Sequence, residues 1–291
     1  MTRNGFVPED ALGRQVWTKG APRRVVSLVP SETESVCALG GGERLVGRTD
    51  YCEEPPAVRA IPSVGGTKRF DVERVLSLAP DLVLANQEEN GERDVRALID
   101  RGLTVHVSFP VDLAGSAAYL RALASLLHVE PSTSEVVRAA EDAVRARRDV
   151  PARARALVPI WKDPWMSFDA RTYASDVLRA IGLENVCAGR ARRYPLAADL
   201  EGEREGAGVR PSDAGERDTR YPRLSTAEIG RRDPELVLLP DEPFAFAERD
   251  ADALRALCPR ATVRFVSGKD LFWYGARMAG ALERLERALA A

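Results

Sequence analysis

Short apolar runs alternate with amphipathic stretches along the chain, and this pattern predicts its elements. The run at residues 24–29, Arg-Val-Val-Ser-Leu-Val, is mostly apolar, as a strand buried on both faces requires. Stretches with helical periodicity separate this run from the later ones. The alternation therefore predicts parallel sheets with helices on both faces. The later runs lie at 82–85, 103–109, 156–161, 236–239 and 261–266.

The second half of the chain repeats the first. Ala-Pro-Asp-Leu-Val-Leu at 79–84 is paralleled by Asp-Pro-Glu-Leu-Val-Leu at 233–238. Val-Arg-Ala-Leu at 95–98 is likewise paralleled by Leu-Arg-Ala-Leu at 254–257. Internal similarity of this kind indicates a repeated architecture. We therefore expect two similar α/β lobes.

The stretch between the two halves predicts one long helix. Val136, Ala140 and Val144 fall on one helical stripe, and Pro151 stops the helix. Ligands of such sheets bind beyond the carboxyl ends of the strands, and pockets favour domain interfaces. We expect a ligand cleft between the lobes. The expected parts are an amino-terminal lobe at 1–130, a bridging helix at 131–150 and a carboxyl-terminal lobe at 151–291.

Two capping boxes predict where helices begin. Ser132 with Glu135 has the spacing in which a hydroxyl and a carboxylate satisfy the first backbone N–H groups of a helix. Ser31 with Glu34 has the same spacing after the first apolar run. We therefore expect one helix to begin at Ser132 and another at Ser31.

Composition excludes several functional classes. The 291 residues carry a formal net charge of −2, with charges of both signs interspersed, so there is no electrostatic footprint for nucleic acid. No apolar run has the length of a membrane span, which argues against membrane insertion. The first ten residues lack an apolar signal segment, so the chain as given is expected in the cytoplasm. Removal of an export signal would instead place it outside the cytoplasm.

Catalytic and metal-binding motifs are weak. The four cysteines form no Cys-x-x-Cys pair, and the second half contains no histidine. Pairing of Cys187 with Cys258 in an oxidising compartment is one interpretation, and buried free thiols are the favoured one. No acid–base or nucleophile motif is present, which disfavours an enzyme, and we expect no metal site.

Aromatic and polar residues follow several predicted strands. Because carboxyl ends of parallel strands meet at one edge, we expect these residues to contact a ligand. Large flat rings suit a large, flat, partly apolar ligand, although each ring could instead close the core of its own lobe. The expected ligand-binding residues are Tyr51, Thr67, Lys68, Asn86, Glu88, Trp161, Trp165, Phe168, Tyr221, Phe244, Trp273 and Tyr274.

Four stretches resemble one protein family. They are Arg-Val-Val-Ser-Leu-Val-Pro-Ser-Glu-Thr-Glu at 24–34, Gly-Arg-Thr-Asp-Tyr at 47–51, Val-Gly-Gly-Thr-Lys at 64–68 and Leu-Phe-Trp-Tyr-Gly-Ala-Arg at 271–277. The chain resembles the substrate-binding proteins of ABC transporters for cobalamin, haem and iron–siderophore complexes, the helical-backbone metal receptors. Within them it resembles the cobalamin-binding branch in particular.

The resemblance implies a fold and a function. The fold would be two Rossmann-like lobes bridged by one long helix, as in class III periplasmic binding proteins. The ligand would be a corrinoid, or alternatively haem or a ferric siderophore, bound without catalysis by a monomer that has no cofactor of its own. Tyr51, Phe168 and Tyr221 match ligand-contact positions of the cobalamin binders.

The resemblance also implies a partner. The family docks on its ABC permease with one glutamate from each lobe. Glu73 matches the first of these positions, and the second falls near Ala227, one residue before Glu228. We therefore expect Glu73 and Glu228 to contact a permease. The alternative function is a cytoplasmic carrier or sensor of a cobalamin- or haem-like cofactor.

Overall fold

The computed structural model describes residues 9–201 and 217–290, which form two compact units. Unit 1 contains Met1–Ala146 together with Trp273–Ala279. Unit 2 contains Arg147–Phe272 and Gly280–Ala291. We call Trp273–Ala279 the return segment. Its placement in unit 1 differs from the sequence expectation, which assigned it to the second lobe.

Unit 1 is built on a four-stranded parallel sheet with the order β2-β1-β3-β4. Val25 of β1 pairs with Leu45 of β2 and with Leu82 of β3. Every residue of β1, β3 and β4 is buried, as the continuous apolar runs require. The strands are β1 (Val25–Ser27), β2 (Leu45–Arg48), β3 (Leu82–Asn86) and β4 (Val105–Ser108), and the helices are α1 (Pro30–Ala38), α2 (Val72–Ser77), α3 (Glu92–Asp100), α4 (Leu113–Leu126) and α5 (Glu135–Ala146).

Unit 2 has a second four-stranded parallel sheet, in the order β10-β9-β5-β7, and a small antiparallel pair, β6-β8. Its strands are β5 (Ala154–Leu157), β6 (Trp165–Met166), β7 (Leu183–Asn185), β8 (Arg223–Leu224), β9 (Leu236–Pro240) and β10 (Thr262–Val266). Its helices are α6 (Tyr173–Ala180), α7 (Leu196–Leu200), α8 (Thr226–Arg232), α9 (Glu248–Leu257) and α10 (Gly268–Phe272), and α11 (Met278–Ala290) runs across the last unit boundary.

The two large sheets share one topology. When only the strands of a large sheet are numbered in chain order, both sheets have the spatial order second, first, third, fourth. The chain therefore reverses its direction of winding between the first and third strands of each sheet. Such a switch point opens a crevice beyond the carboxyl ends of the two strands. The predicted α/β class with parallel sheets is confirmed.

Helix α1 begins earlier than its predicted capping box. Its first residue is Pro30, which suits the first turn because proline lacks an N–H. Val29 occupies the cap position, and no side chain caps the helix. Ser31 is therefore inside the helix, and Glu32 lies in its first turn with no exposed surface.

Helix α5 is shorter than the predicted range 131–150. Ser134, not Ser132, accepts the N–H of Val137 at 3.4 Å, while the Ser132 hydroxyl donates to Glu130 at 2.7 Å. The helix packs against α4, where Arg121 pairs with Glu141. Its buried face is formed by Val137, Ala140 and Ala143. The predicted stripe shares only Ala140 with this face.

Cys187 and Cys258 belong to one core cluster of unit 2. Both thiols are free and buried, and this cluster is otherwise formed by apolar side chains from the strands and helices of the unit. Burial raises the pKa of both thiols. They therefore act here as small apolar core residues.

Candidate functional site

The first candidate surface consists of Tyr51, Thr67, Lys68 and Glu88 in unit 1. Tyr51 follows β2, and Glu88 follows β3, so both lie beyond carboxyl ends of strands. The side chain of Tyr51 is 63% exposed. Lys68 donates to the carbonyl oxygen of Glu88, which joins two of the loops. We call these four residues the first surface.

Two buried asparagines fix the loops of the first surface. Asn90 Nδ2 donates to the carbonyl oxygen of Thr67 at 2.9 Å, and Asn86 Oδ1 accepts the N–H of Glu88 at 2.8 Å. A Cβ atom at Gly91 would lie 2.8 Å from the carbonyl oxygen of Lys68, so the two loops are in close backbone contact. Sequence reasoning missed Asn90, although an asparagine in a turn after a strand is a familiar loop-fixing residue.

The second candidate surface consists of Trp161, Tyr221 and Phe244 in unit 2. Trp161 follows β5 and Phe244 follows β9, the two strands that flank the switch point of this sheet. Their rings meet edge to face with centroids 5.3 Å apart. Trp161 is 45% exposed, and Phe244 and Tyr221 are partly buried. We call these three residues the second surface.

Rings continue from the second surface into the core. Phe244 lies 4.8 Å from Phe246, and Phe246 stacks on Trp165 with centroids 6.0 Å apart and planes within 10°. Lys162 lies over Trp165 and pairs with the buried Asp250 at 2.5 Å. This contact fixes the loop that carries Trp161. Phe246 was not among the predicted site residues, although it shares the loop of Phe244.

Several predicted ligand contacts are instead interior residues. Trp165 belongs to the core of unit 2, and Phe168 packs edge to face on Phe272 in the same unit. Trp273 is buried with Arg277 over its ring, and Tyr274 and Asn86 hydrogen-bond to each other inside unit 1. This placement corrects the expectation that these five residues line the surfaces. Their side chains complete the core and support the surfaces from below.

A buried polar group beneath the first surface consists of Glu32, Asn86, Ser108 and Tyr274. Glu32 Oε1 accepts from the Ser108 hydroxyl at 2.5 Å and from the Tyr274 hydroxyl at 2.9 Å. Asn86 Nδ2 donates to both of these hydroxyls, at 3.1 and 3.0 Å. We call these four residues the Glu32 node.

Glu32 is an ionisable group in an environment that disfavours charge. Its burial raises the pKa of the carboxyl group to about 8, although the hydroxyl groups of Ser108, Tyr274 and Tyr119 act in the opposite direction. Within the described part of the chain, Glu32 Oε2 makes no hydrogen bond. The carboxyl group is therefore largely protonated at neutral pH. Sequence reasoning missed it because it assigned Ser31–Glu34 to a capping box, in which Glu32 has no role.

The two predicted docking glutamates have different surroundings. Glu73 in α2 is 74% exposed and makes one long ion pair, 3.3 Å, with Arg101. Glu228 in α8 is buried and pairs with Arg190 at 2.9 Å and Arg232 at 2.6 Å. This burial corrects the expectation that Glu228 is available to a permease. Ala227, one residue earlier, is the exposed position.

The described residues contain neither a cluster of metal ligands nor a membrane-spanning helix. Among residues 9–201 and 217–290, no three His, Cys, Asp or Glu side chains converge on a point where a metal ion could bind. No helix in the same ranges combines the length and the apolar character needed to cross a bilayer. The prediction that one ligand lies between the lobes stays a prediction.

Three comparisons relate the chain to known proteins. Residues 25–238 match the family model described as periplasmic binding protein. A vitamin B12-binding protein of Yersinia pestis (strain Pestoides F) is 31% identical over 181 residues, which span 60% of this chain and 64% of that protein. The chain thus aligns with less than two thirds of this relative.

Solved structures show the same fold. The periplasmic vitamin B12 binding protein of Vibrio cholerae superposes with a TM-score of 0.70 at 20% identity, over 93% of this chain and 97% of that chain. A periplasmic heme binding protein of Pseudomonas aeruginosa gives a TM-score of 0.70 at 22% identity, over 92% of each chain. At these identities the likeness concerns the fold alone.

Proposed function

The chain belongs to the periplasmic binding protein family, and we propose that it binds a corrinoid as the substrate-binding component of an ABC importer. The observation that carries this proposal is the run of rings from Trp161 through Phe244 into the core. Exposed aromatic side chains offer apolar surface to a macrocycle. The vitamin B12-binding relative supports the choice of ligand.

Binding is proposed to occur without covalent chemistry. The rings of the second surface supply apolar contact, and Lys68, Tyr51 and Glu88 on the first surface supply polar contacts to the side groups of the ligand. The named relatives are binding proteins, which supports a non-catalytic role. On this proposal the protein is a monomer, acts outside the cytoplasm and delivers its ligand to a permease.

Haem is the alternative ligand, and a substitution at Tyr51 distinguishes haem binding from corrinoid binding. A phenolate oxygen is an established axial ligand for haem iron, and the Tyr51 ring is well exposed. Cyanocobalamin carries both axial ligands of its cobalt, the cyanide and its own nucleotide base, and does not need this oxygen. Tyr51→Phe should therefore leave cyanocobalamin binding within a few-fold and change the visible spectrum of a haemin complex.

The first experiment is a titration of the purified protein with cyanocobalamin, cobinamide, haemin and ferric siderophores, followed by absorption and calorimetry. Trp161→Ala should weaken corrinoid binding by about 10- to 150-fold, because losing a large apolar contact costs roughly 1.5–3 kcal/mol. Trp17→Ala is the matched control, because Trp17 is also an exposed tryptophan but lies in unit 1 beside Arg23 and Asp81, near the amino end of β3. Equal affinities for both variants, or no binding of any probe, would reject the proposal.

A cytoplasmic carrier or sensor is the second candidate, and the burial of Glu228 favours it. Of the two predicted docking glutamates, Glu73 is exposed and Glu228 is buried, which weakens the basis for docking on a permease. Uptake of labelled cobalamin by cells that lack this protein distinguishes the candidates. Impaired uptake supports the importer, whereas normal uptake with impaired loading of a cobalamin-dependent enzyme supports the carrier.

A further inference from the structure

The Glu32 node contacts a loop of the first surface directly. Asn86 donates through Nδ2 to Tyr274 and Ser108, and its Oδ1 accepts the N–H groups of Glu88 and Glu89 at 2.8 and 3.1 Å. One side chain therefore fixes the turn that carries Glu88 and also binds the hydroxyls around Glu32. Asn86 therefore connects the hydroxyl partners of Glu32 with the first surface.

The node also fixes the return segment. Beside Tyr274, the Gly275 N–H donates to Ser116 Oγ at 2.8 Å and the Ala276 N–H donates to Ser35 Oγ at 3.0 Å. Gly275 has φ +86°, and a Cβ atom there would lie 2.3 Å from Ser35 Oγ. The return segment therefore fits against α1 and α4 in one arrangement only.

The groups that face Glu32 offer it no compensating charge. From β4 and α4 these are His106 and Tyr119. Burial lowers the pKa of His106 to about 4, so this imidazole is neutral at neutral pH. Burial raises the pKa values of Tyr119 and Tyr274, so both phenols keep their protons. The remaining facing groups are Ser31 and Ser35 of α1, Asn86 and Ser108 of the node, and Arg277 of the return segment, which is paired with Glu34.

We propose that Glu32 is a positioning residue for the first surface: its ionisation disrupts the contacts among Tyr274, Ser108 and Asn86, releases the turn at 86–90, and weakens ligand binding as the solution becomes alkaline. A buried carboxylate without a cation needs water, and water can reach it only when the node opens. The role in ligand binding rests on the proposed function, whereas the opening of the node does not.

Linkage gives the size of the effect. Glu32 titrates near pH 8, within a window where surface carboxylates are already ionised. If the ligand binds only the protein with protonated Glu32, the apparent affinity falls about tenfold per pH unit above this midpoint. Below the midpoint the affinity is independent of pH, because Glu32 is already protonated.

The test is the affinity for cyanocobalamin from about pH 6 to about pH 10. Glu32→Gln keeps the Oε1 acceptor but cannot ionise, so its affinity should stay nearly constant over this range. Glu34→Gln is the matched control, because Glu34 lies in the same helix and also contacts the return segment, through Arg277, but is partly exposed. This variant should keep the alkaline fall. A flat wild-type profile, or an alkaline fall that persists in Glu32→Gln, would overturn the proposal.

A second measurement on the ligand-free protein separates this inference from the proposed function. Hydrogen exchange of the amides at 87–90 and 274–276 should accelerate above about pH 8 beyond the intrinsic pH effect in the wild type, and not in Glu32→Gln. Failure of every ligand to bind, with this exchange pattern present, would reject the corrinoid function and leave the opening of the node standing. Identical exchange in the two proteins would reject the positioning role even where a ligand binds.

Discussion

Glu32 and Glu228 occupy the same place in their helices but opposite environments. Each is the third helical residue, in α1 and α8 respectively, and each is almost completely buried. Glu32 meets hydroxyl groups, whereas Glu228 meets two guanidinium groups. A position in a helix therefore does not determine how a carboxyl group behaves; the groups that other elements bring to it do.

The environment of Glu228 is an ion cluster inside unit 2. Arg190, with 1% of its side chain exposed, pairs with Glu228 and also with Asp199 at 3.0 Å. Asp199 in turn accepts the backbone N–H groups of Arg193 and Arg223, both at 2.9 Å. One arginine thus joins α7, α8 and β8, while no cation performs this role in the Glu32 node.

The largest expected effect comes from removing the arginine. Arg190→Met should lower the free energy of unfolding by about 3–5 kcal/mol, because it leaves the buried Asp199 without its nearest cation and Glu228 with one of its two. Urea denaturation followed by circular dichroism measures this change. Arg96→Met is the control: it breaks an exposed ion pair with Glu92 and should cost less than about 1 kcal/mol. Equal losses of unfolding free energy in both variants would show that the buried ion cluster stabilises the fold no more than an exposed ion pair does.

The next effect is expected at Glu32, where the carboxyl group is stabilised in its neutral form and not by a cation. The folded-state pKa of about 8 is higher than the ordinary value of 4.5, so the folded protein retains a proton that the unfolded chain releases. The stability linked to this proton is complete below about pH 4.5 and is lost as the pH rises towards 8. The loss should be on the order of a few kcal/mol.

Glu32→Gln isolates this contribution. The difference in unfolding free energy between the wild type and the variant should change with pH between about 4.5 and about 8 and then become constant. Urea titrations at several pH values measure it. A difference that is independent of pH across this window would show that Glu32 ionises normally in the folded protein.

The smallest expected effect concerns docking and sharpens the contrast between Glu73 and Glu228. Glu73→Gln should weaken binding to a corrinoid permease in lipid nanodiscs by about 2- to 5-fold, as expected for an exposed charge at the rim of an interface. Ala227→Glu adds a carboxylate at the exposed position of α8 and should strengthen binding by a similar factor. Surface plasmon resonance at low and high salt measures both changes. Unchanged binding in both variants would favour the carrier over the importer.

The sequence predicted the sheets better than the polar interior. Strands such as β3 and β9 were recognisable because continuous apolar runs have few alternatives to a doubly buried strand. The buried carboxyl groups were not, because a shift of one residue turns a helical side chain by about 100°. Position 227 faces solvent and position 228 faces Arg190, and no local pattern distinguishes them.

The ligand surfaces show the same limit. Of the aromatic residues predicted to follow strands, Trp161 and Phe244 do follow β5 and β9, but burial depends on what packs over each ring. Trp161 is exposed and Trp165, four residues later in β6, is not. Phe246, which joins them through Phe244, became evident only from the packing.

The tight fit at Gly275 makes the Glu32 node a usable evolutionary marker. Because no side chain larger than hydrogen fits against Ser35, a substitution at this position is incompatible with the observed path of the return segment. Genomes can therefore be searched for chains that combine glutamate at position 32 with serine at 108 and tyrosine and glycine at 274 and 275. Bacteria that carry this combination should share the alkaline response, and the distribution of their habitats by acidity becomes a question that sequence surveys can address.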